Sequence, residues 1–258
     1  MSGAAIRIAG VSARYPNAAD TAIAEIDLDV KPGEFVVFVG PSGCGKSTLL
    51  RTVNRLVPLE RGHIEFDGAD VTSLDSVALR RSIGYAIQAV GLFTTMDVAQ
   101  NVGVVPSLLG WDRARLDARI DEMLALVRLD PDRYRKRRVA QLSGGEAQRV
   151  GVARALAAGP RALLMDEPFG ALDAIVRREL QHELREIVRA TGTTTLFVTH
   201  DVDEALLLAD RIAVLHAGRI EQCASPLEIL SEPGSAYVRE LFADNEAVAE
   251  LRRRARAR

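Results

Sequence analysis

A glycine-rich segment that ends in a lysine and a serine lies near the start of the chain. Residues 40–47 read Gly-Pro-Ser-Gly-Cys-Gly-Lys-Ser and fit the Walker A pattern. The glycines let backbone N–H groups surround phosphate oxygens, and the start of the following helix favours negative charge. Lys46 is expected to reach the β and γ phosphates, and the hydroxyl of Ser47 to ligate Mg²⁺. The segment predicts a site for a nucleoside triphosphate, with these contact residues: Gly40, Pro41, Ser42, Gly43, Cys44, Gly45, Lys46, Ser47 and Thr48.

Two adjacent carboxylates follow a second apolar run. Residues 162–167 read ALLMDE, which places Asp166 and Glu167 at the end of a predicted strand. Beside a phosphate-binding loop, Asp166 suits a water-mediated contact with Mg²⁺, and Glu167 suits the orientation and deprotonation of an attacking water. Two solvated acids at a strand end are the alternative. With the phosphate loop in the same chain, the pair predicts hydrolysis as well as binding.

A second helix start also has the chemistry of an anion site. Residues 142–146 read LSGGE, and Ser143 and Glu146 have the spacing of a capping box. Gly144 and Gly145 leave this helix start bare and open to close approach by an anion. An ordinary capped helix explains the same residues, so the motif taken alone leaves both interpretations open.

The apolar pattern predicts the elements that position these motifs. Short runs of apolar residues are typical of parallel strands that are buried on both faces; they cover residues 35–39, 162–165, 195–199 and 212–215. Helical candidates alternate with these strands and cover residues 47–56, 171–191 and 202–209. This alternation favours an α/β sheet.

Two further regions lie outside the strand–helix alternation. Residues 6–30 are alternating and rich in turns, and with residues 62–68 they predict an antiparallel sheet beside the α/β core. Residues 90–158 predict a helical insertion, in which Asp112 is a candidate N-cap and apolar residues recur at helical spacing from Leu116 to Val127.

The composition restricts the class of protein. The chain has 258 residues, 48% of them hydrophobic and 26% charged, with a net charge of −2. These values are typical of a globular protein and exclude disordered, collagenous and disulfide-scaffold chains. Near-neutrality gives no general attraction to nucleic acid. The two cysteines lack metal-ligand spacing, and neither a signal peptide nor a membrane-spanning run is visible.

Along the chain the Walker A segment comes first, the LSGGE motif second and the ALLMDE run third, and in this order the three motifs resemble those of the ATP-binding subunits of ATP-binding cassette (ABC) transporters. The resemblance covers residues 5–243 and implies an α/β fold: a P-loop NTPase (RecA-like) core with an antiparallel β subdomain and an inserted helical subdomain. It assigns residues 5–89 and 159–225 to the core and antiparallel subdomain, about 90–158 to the helical subdomain, and 226–243 to C-terminal helices. Residues 244–258 remain as a basic tail, either disordered or in contact with anionic lipid.

The resemblance also implies roles for single residues. Tyr15 corresponds to an aromatic residue that stacks on adenine, and a solvent-facing tyrosine is the alternative. Gln88 corresponds to a catalytic glutamine that touches Mg²⁺ or its water, and His200 to a histidine that meets the γ-phosphate and Glu167. Asp173 corresponds to an aspartate at the interface between cassettes, although Gly170 stands where a serine is more usual.

The family further implies the partners. Two cassettes pair head to tail as a homodimer, so that Ser143, Gly144 and Gly145 of one subunit face the phosphate held by Lys46 of the other. Such dimers work at the cytoplasmic face of the cell membrane with transmembrane permease subunits, and indirectly with an extracytoplasmic solute-binding protein. No nucleic-acid partner is expected.

A charge-poor segment is the candidate docking site for the permease. Residues 82–111 carry one charged side chain, Asp97. Its apolar residues have the composition of an interface core; they are Leu92, Phe93, Met96, Leu108, Leu109 and Trp111. A strand and a buried helix without a partner are the alternative.

Several segments, among them residues 82–88 and 145–154, are similar in sequence to the ATP-binding subunits of importers of glycine betaine, carnitine and choline. Import of another small polar solute, such as an amino acid or a polyamine, is the first alternative. A soluble ABC ATPase without a transport role is the second.

Overall fold

The computed structural model describes residues 3–15, 20–87, 91–170 and 172–243. Gln88 and the basic tail from residue 244 onward therefore lie outside the described residues. The strands are β1 (Ile6–Ala13), β2 (Ile23–Val30), β3 (Phe35–Val39), β4 (Leu59–Phe66), β5 (Ala69–Asp70), β6 (Ile83–Ala86), β7 (Ala162–Asp166), β8 (Thr194–Val198), β9 (Arg211–His216) and β10 (Arg219–Ala224).

Helices connect and cover these strands. They are α1 (Lys46–Val53), α2 (Ser76–Ser82), α3 (Val98–Leu108), α4 (Arg113–Leu126), α5 (Pro131–Tyr134), α6 (Gly144–Ala157), α7 (Ala174–Thr191), α8 (Val202–Leu208), α9 (Pro226–Ser231) and α10 (Ala236–Leu241). None of the helices in the described ranges is long and apolar enough to cross a bilayer.

A six-stranded sheet forms the centre of the molecule. Its strand order is β10-β9-β3-β8-β7-β6, and every neighbouring pair is parallel except β10 with β9. Every residue of β3, β7 and β8 is buried. Along β3 the side chains alternate between two cores: Phe35 and Val37 pack on one face, and Val36 and Phe38 on the other. The prediction of an α/β fold with parallel strands buried on both faces is confirmed.

A four-stranded antiparallel sheet of order β2-β1-β4-β5 lies against one of these cores. Ile6 of β1 pairs with Val30 of β2 and with Phe66 of β4. All three side chains are buried and belong to the same core as α1. This arrangement agrees with the antiparallel sheet expected from residues 6–30 and 62–68.

Between β6 and β7, the described part of the chain is helical and contains α3 to α6. The Asp112 carboxylate accepts a hydrogen bond from the backbone N–H of Arg115, so it is the N-cap of α4, as predicted. Ile120 and Leu124 of α4 are buried in the same core as the side chains on the other face of β3.

Two predicted helix boundaries were wrong. Helix α1 ends at Val53 rather than at residue 56, because Arg55 has a φ of 57°, outside the right-handed helical region. Helix α7 begins at Ala174 rather than at residue 171, because the Asp173 side chain caps it through the N–H groups of Ile175 and Val176.

Candidate functional site

The glycine-rich loop connects the carboxyl end of β3 to the start of α1. Gly45 precedes the helix with a φ of 103° and supplies no side-chain cap, so the first N–H groups of α1 remain available to an anion. Gly40 has a φ of 154°, and a Cβ at this position would lie 2.1 Å from the carbonyl oxygen of Leu215. The neighbouring strand β9 therefore excludes a side chain at the beginning of the loop.

Lys46 is held inside this loop. Its Nζ donates hydrogen bonds to the carbonyl oxygens of Gly40 at 2.7 Å and Pro41 at 2.9 Å, and the residue is only 5% exposed. A buried ammonium group needs such partners. The contacts curl the loop around the side chain and place a positive charge where the helix start already favours an anion.

Ser47 and Asp166 meet directly. The Ser47 hydroxyl donates a hydrogen bond of 2.6 Å to Oδ1 of Asp166, which lies at the end of β7 and is 1% exposed. A hydroxyl and a carboxylate are hard oxygen donors of the kind that Mg²⁺ prefers. Among the described residues, no group of three or more His, Cys, Asp and Glu side chains could hold a metal ion by itself. This pair therefore fits an ion that takes its remaining ligands from phosphate and water.

Arg51 also belongs to the site, although it is not among the residues predicted from the sequence. Its NH2 group lies 3.4 Å from Oδ2 of Asp166, and its guanidinium also donates to the hydroxyl groups of Tyr85 and Tyr15. These hydroxyls hold the pKa of Arg51 above its usual range, and burial raises the pKa of Tyr85. Arg51 follows Ser47 by four residues on α1, so helical spacing was the available signal.

Glu167 and His200 form a second pair at the same edge of the sheet. The two residues follow the adjacent parallel strands β7 and β8, in which Asp166 pairs with Val198. Nδ1 of His200 lies 3.3 Å from Oε2 of Glu167. The His200 side chain is 65% exposed, whereas that of Glu167 is 20% exposed. The carboxylate is therefore oriented by a partner that itself faces outward.

Gln148 connects the helical insertion to this pair. Its side-chain amide donates a hydrogen bond of 3.1 Å to the backbone oxygen of Glu167, and Gln148 is 4% exposed. Gln148 is not among the site residues predicted from the sequence. A polar side chain on the buried face of α6 was the only signal for it.

The LSGGE motif begins α6 as a capping box. The Ser143 hydroxyl accepts a hydrogen bond from the N–H of Glu146, whose carboxylate accepts one from the N–H of Ser143. The hydroxyl of Tyr134 donates to Glu146, and this bond holds the pKa of the carboxyl below its usual range. Ser143 and Gly144 are exposed, and a Cβ on Gly144 would meet no atom within 4 Å. Packing within this chain therefore does not require glycine at residue 144.

Tyr15 and Asp173, the two remaining predicted residues, lie in different parts of the structure. The Tyr15 hydroxyl accepts a hydrogen bond of 3.3 Å from the Thr48 hydroxyl, so its ring lies beside the start of α1. Tyr15 is 37% exposed. The hydrogen bonds of the Asp173 side chain stay within the first turn of α7.

The ABC transporter family model matches residues 23–170. The glycine betaine uptake system ATP-binding protein YehX of Escherichia coli is 49% identical, over 90% of this chain and 75% of that protein. The glycine betaine/carnitine/choline transport ATP-binding protein OpuCA of Bacillus subtilis is 49% identical, over 86% of this chain and 58% of that protein. The sulfate/thiosulfate import ATP-binding protein CysA of Xylella fastidiosa is 50% identical, over 84% of this chain and 63% of that protein. This chain thus spans less than two thirds of the last two relatives.

Solved cassettes have the same fold. The dimeric post-hydrolysis structure of the ATP-binding cassette MJ0796 with ADP and Pi has a TM-score of 0.78 and 30% identity, and the match covers 86% of this chain and 98% of that one. The dimeric structure of MJ0796 described as a bacterial ABC transporter cassette has a TM-score of 0.79 and 31% identity. With the family model and relatives about half identical over most of its length, the chain belongs to the ABC transporter family as an ATP-binding cassette.

Proposed function

We propose that this cassette hydrolyses ATP to power an importer of quaternary-amine osmoprotectants such as glycine betaine, carnitine or choline. The proposed ATP hydrolysis rests on one observation, that two pairs of side chains meet at the carboxyl edge of the parallel sheet. Ser47 contacts Asp166, and Glu167 lies 3.3 Å from His200 one residue further along. The solute class rests on relatives that are glycine betaine, carnitine and choline transport proteins.

Each side chain of the site has a proposed task. Lys46 exchanges its loop carbonyls for the β and γ phosphates of ATP. Glu167 orients the attacking water and accepts its proton, and His200 holds the Glu167 carboxylate in position. Mg²⁺, when bound by Ser47 and Asp166 with Gln88 as a further contact, neutralises charge on the phosphates.

The site is completed by a second copy of the chain. Ser143, Gly144 and Gly145 would face the γ-phosphate on the partner, with Asp173 at the same interface. The open space around Gly144 supports this arrangement, because the absence of a side chain there would let the phosphate on the partner approach the helix start closely. The similar cassette MJ0796 is dimeric. Stacking of Tyr15 on adenine belongs to the same proposal.

The permease docks on the charge-poor segment. Phe93 and Leu108 are 47% and 57% exposed, and together with Val104 and Val105 they line a cavity of about 360 Å³. This exposure favours a docking site over the alternative of a segment buried without a partner. Leu109 is also exposed, and Met96 is half-buried, whereas Leu92 packs against the core and Trp111 lines a different cavity.

Docking would hold residues 5–243 as one cassette at the cytoplasmic face of the membrane. The division into a core with an antiparallel subdomain, a helical subdomain at about 90–158 and C-terminal helices is part of this proposal. A solute-binding protein would act on the opposite side of the permease.

Transport by the assembled complex tests the solute class. The cassette is isolated from its own cells together with the bound permease, and the complex is reconstituted in liposomes. ATP-dependent uptake of labelled glycine betaine, carnitine and choline into these liposomes is then measured. Uptake of at least one of these solutes is expected. Sulfate is the second candidate, because CysA is equally similar to this chain. Uptake of sulfate, an amino acid or a polyamine in their place would overturn the proposed solute class and retain the ATPase.

A further inference from the structure

A cleft of about 680 Å³ lies between the helical insertion and the end of α7, outside the ATP site. Its lining shares no residue with the glycine-rich loop, the two acidic residues or His200. Residues of α4 form one wall, including Met123 and Leu126, and residues of α7 form the other, including Ile187 and Ala190. Its volume lies within the range of small-molecule sites, about 300–1,000 Å³.

The lining of this cleft includes a cation above an aromatic ring. The guanidinium carbon of Arg115 lies 3.5 Å from the centroid of the Trp111 ring, and both residues line the cleft. Across the described residues, no carboxylate lies within 4.0 Å of the Arg115 guanidinium. Arg115 therefore presents a positive charge beside a mostly apolar lining, without an acidic partner among the residues that the structure describes.

The other charged residues of the lining are already occupied. The Arg119 guanidinium pairs with Glu122 at 2.7 Å and donates to the carbonyl oxygens of Leu156 and Ala157 at the end of α6. These bonds close the last turn of α6 and neutralise Glu122. The net charge offered to a ligand is thus the single positive charge of Arg115.

We propose that this cleft binds an amphiphilic carboxylate, with its aliphatic or aromatic body between α4 and α7 and its carboxylate on Arg115. An apolar lining with one well-placed cation selects such a molecule, because the carboxylate gains a charge-assisted hydrogen bond while the hydrocarbon leaves water. This ligand differs from ATP, and it differs from glycine betaine and carnitine because those carboxylates also carry a quaternary ammonium group and have no long apolar body. The inference does not depend on the proposed function.

Trp111 makes the binding directly measurable, since it is the single tryptophan of the chain. Decanoate is added to the full-length chain below its micelle concentration, and Trp111 fluorescence is followed together with the melting temperature. Saturable fluorescence change and a rise in melting temperature are expected, because a ligand of the native state stabilises it. Decyltrimethylammonium, with the same chain length and the opposite charge, is expected to bind at least about tenfold more weakly.

Two pairs of variants separate this site from general surface binding. Arg115→Gln is expected to weaken decanoate binding by about tenfold or more, while Arg113→Gln, on the same helix but outside the cleft, leaves it unchanged. Ala190→Phe fills the cleft and is expected to abolish binding, while Ala125→Phe at an exposed position outside the cleft does not. Equal binding of both amphiphiles, or binding that survives Ala190→Phe, would overturn the proposal, as would a wild-type chain that binds no decanoate.

Discussion

The backbone at Glu167 has a φ of 47°, a conformation that residues other than glycine rarely adopt. Its N–H donates to the carbonyl oxygen of Val198, and its own carbonyl oxygen accepts from Gln148, so contacts on both sides hold this turn. Such conformations cost about 1–3 kcal/mol and persist where the surroundings enforce them. At the residue scale, this strained turn brings the carboxylate to His200.

Glu167→Gln is expected to reduce ATP hydrolysis by about 100-fold or more while ATP binding is retained, because glutamine keeps the shape but accepts no proton. Steady-state phosphate release and nucleotide titration measure the two properties. Adding His200→Ala to Glu167→Gln is expected to reduce hydrolysis little further, since in the proposed mechanism His200 acts through Glu167. A double variant much slower than Glu167→Gln would show that His200 has a separate role, and unchanged hydrolysis in Glu167→Gln would contradict the assignment of the base.

Arg51→Met is expected to lower the free energy of unfolding of the nucleotide-free chain by about 1–3 kcal/mol. Asp166 is 1% exposed and would lose its cationic partner, whereas Met retains most of the apolar stem. Urea denaturation measures the change. Arg61→Met, at an exposed position of β4, serves as the control with an expected change below about 0.5 kcal/mol. Equal effects of the two substitutions would contradict a charge-balancing role for Arg51.

At the element scale, the start of α6 combines two roles in one short motif. Ser143 and Glu146 cap the helix, and the hydroxyl of Tyr134 from α5 supports the Glu146 carboxylate. Gly144, the first of the two glycines between Ser143 and Glu146, is exposed, and a Cβ there would meet no atom within 4 Å. The capping box thus stabilises the start of α6, and the same turn remains accessible to a second molecule.

Tyr134→Phe is expected to destabilise the chain by about 1–2 kcal/mol at neutral pH, because the ring is retained but the hydrogen bond to Glu146 is lost. This bond lowers the pKa of Glu146 in the folded state, so its contribution is present above the pKa of the unfolded chain, about 4.3. It is lost as the pH falls through the folded-state pKa. The difference between wild type and variant, measured by urea denaturation from pH 7 to pH 3, should therefore shrink in acid. A difference that does not change with pH would contradict this assignment.

Phe93→Asp is expected to leave ATP binding and folding intact and to uncouple hydrolysis from solute uptake in the reconstituted complex. The side chain is 47% exposed, and the substitution places a carboxylate in the proposed docking cavity, which is lined by apolar residues and by Arg80, Arg81 and Arg154. Leu227→Asp, at a 53% exposed position on α9, is the matched control. Normal transport by Phe93→Asp, or a melting temperature that shows loss of folding, would argue against docking at this cavity.

At the scale of the whole molecule, one chain contains two helix starts with the chemistry of an anion site, at different places. The start of α1 lies with Lys46 and Asp166 at the carboxyl edge of the parallel sheet, whereas α6 belongs to the helical insertion. The hydrogen bonds of Ser143 stay within its own capping box. Pairing of two copies would use both helix starts in each site.

Mixing two inactive variants tests this pairing. Lys46→Ala removes the proposed phosphate ligand, and Gly144→Asp adds a negative charge at a position where this chain has room for a side chain. In a head-to-tail dimer of one copy of each, one site combines both intact groups. A 1:1 mixture should therefore regain up to about a quarter of wild-type hydrolysis, while each variant alone stays inactive. No recovery after verified subunit exchange would contradict a site shared between subunits.

The sequence alone predicted the elements whose patterns are local. The apolar runs predicted β3, β7, β8 and β9 to within one or two residues, since strands buried on both faces must be apolar throughout. The glycine-rich loop and the capping box were also readable, because their chemistry lies in consecutive residues. The helix ends at Val53 and Ala174 were not, since the Arg55 backbone conformation and the Asp173 cap decided them.

The tertiary structure alone decided which distant side chains meet. The order β9-β3-β8-β7 brings Lys46, Asp166 and His200 to one edge, and that order depends on pairings between segments far apart in the chain. The contacts of Arg51 with Asp166 and of Gln148 with Glu167 arise from the same packing, as does the cleft beside Trp111. Local patterns set which residues are buried in each element, but the shape and neighbours of a site follow from how those elements pack together.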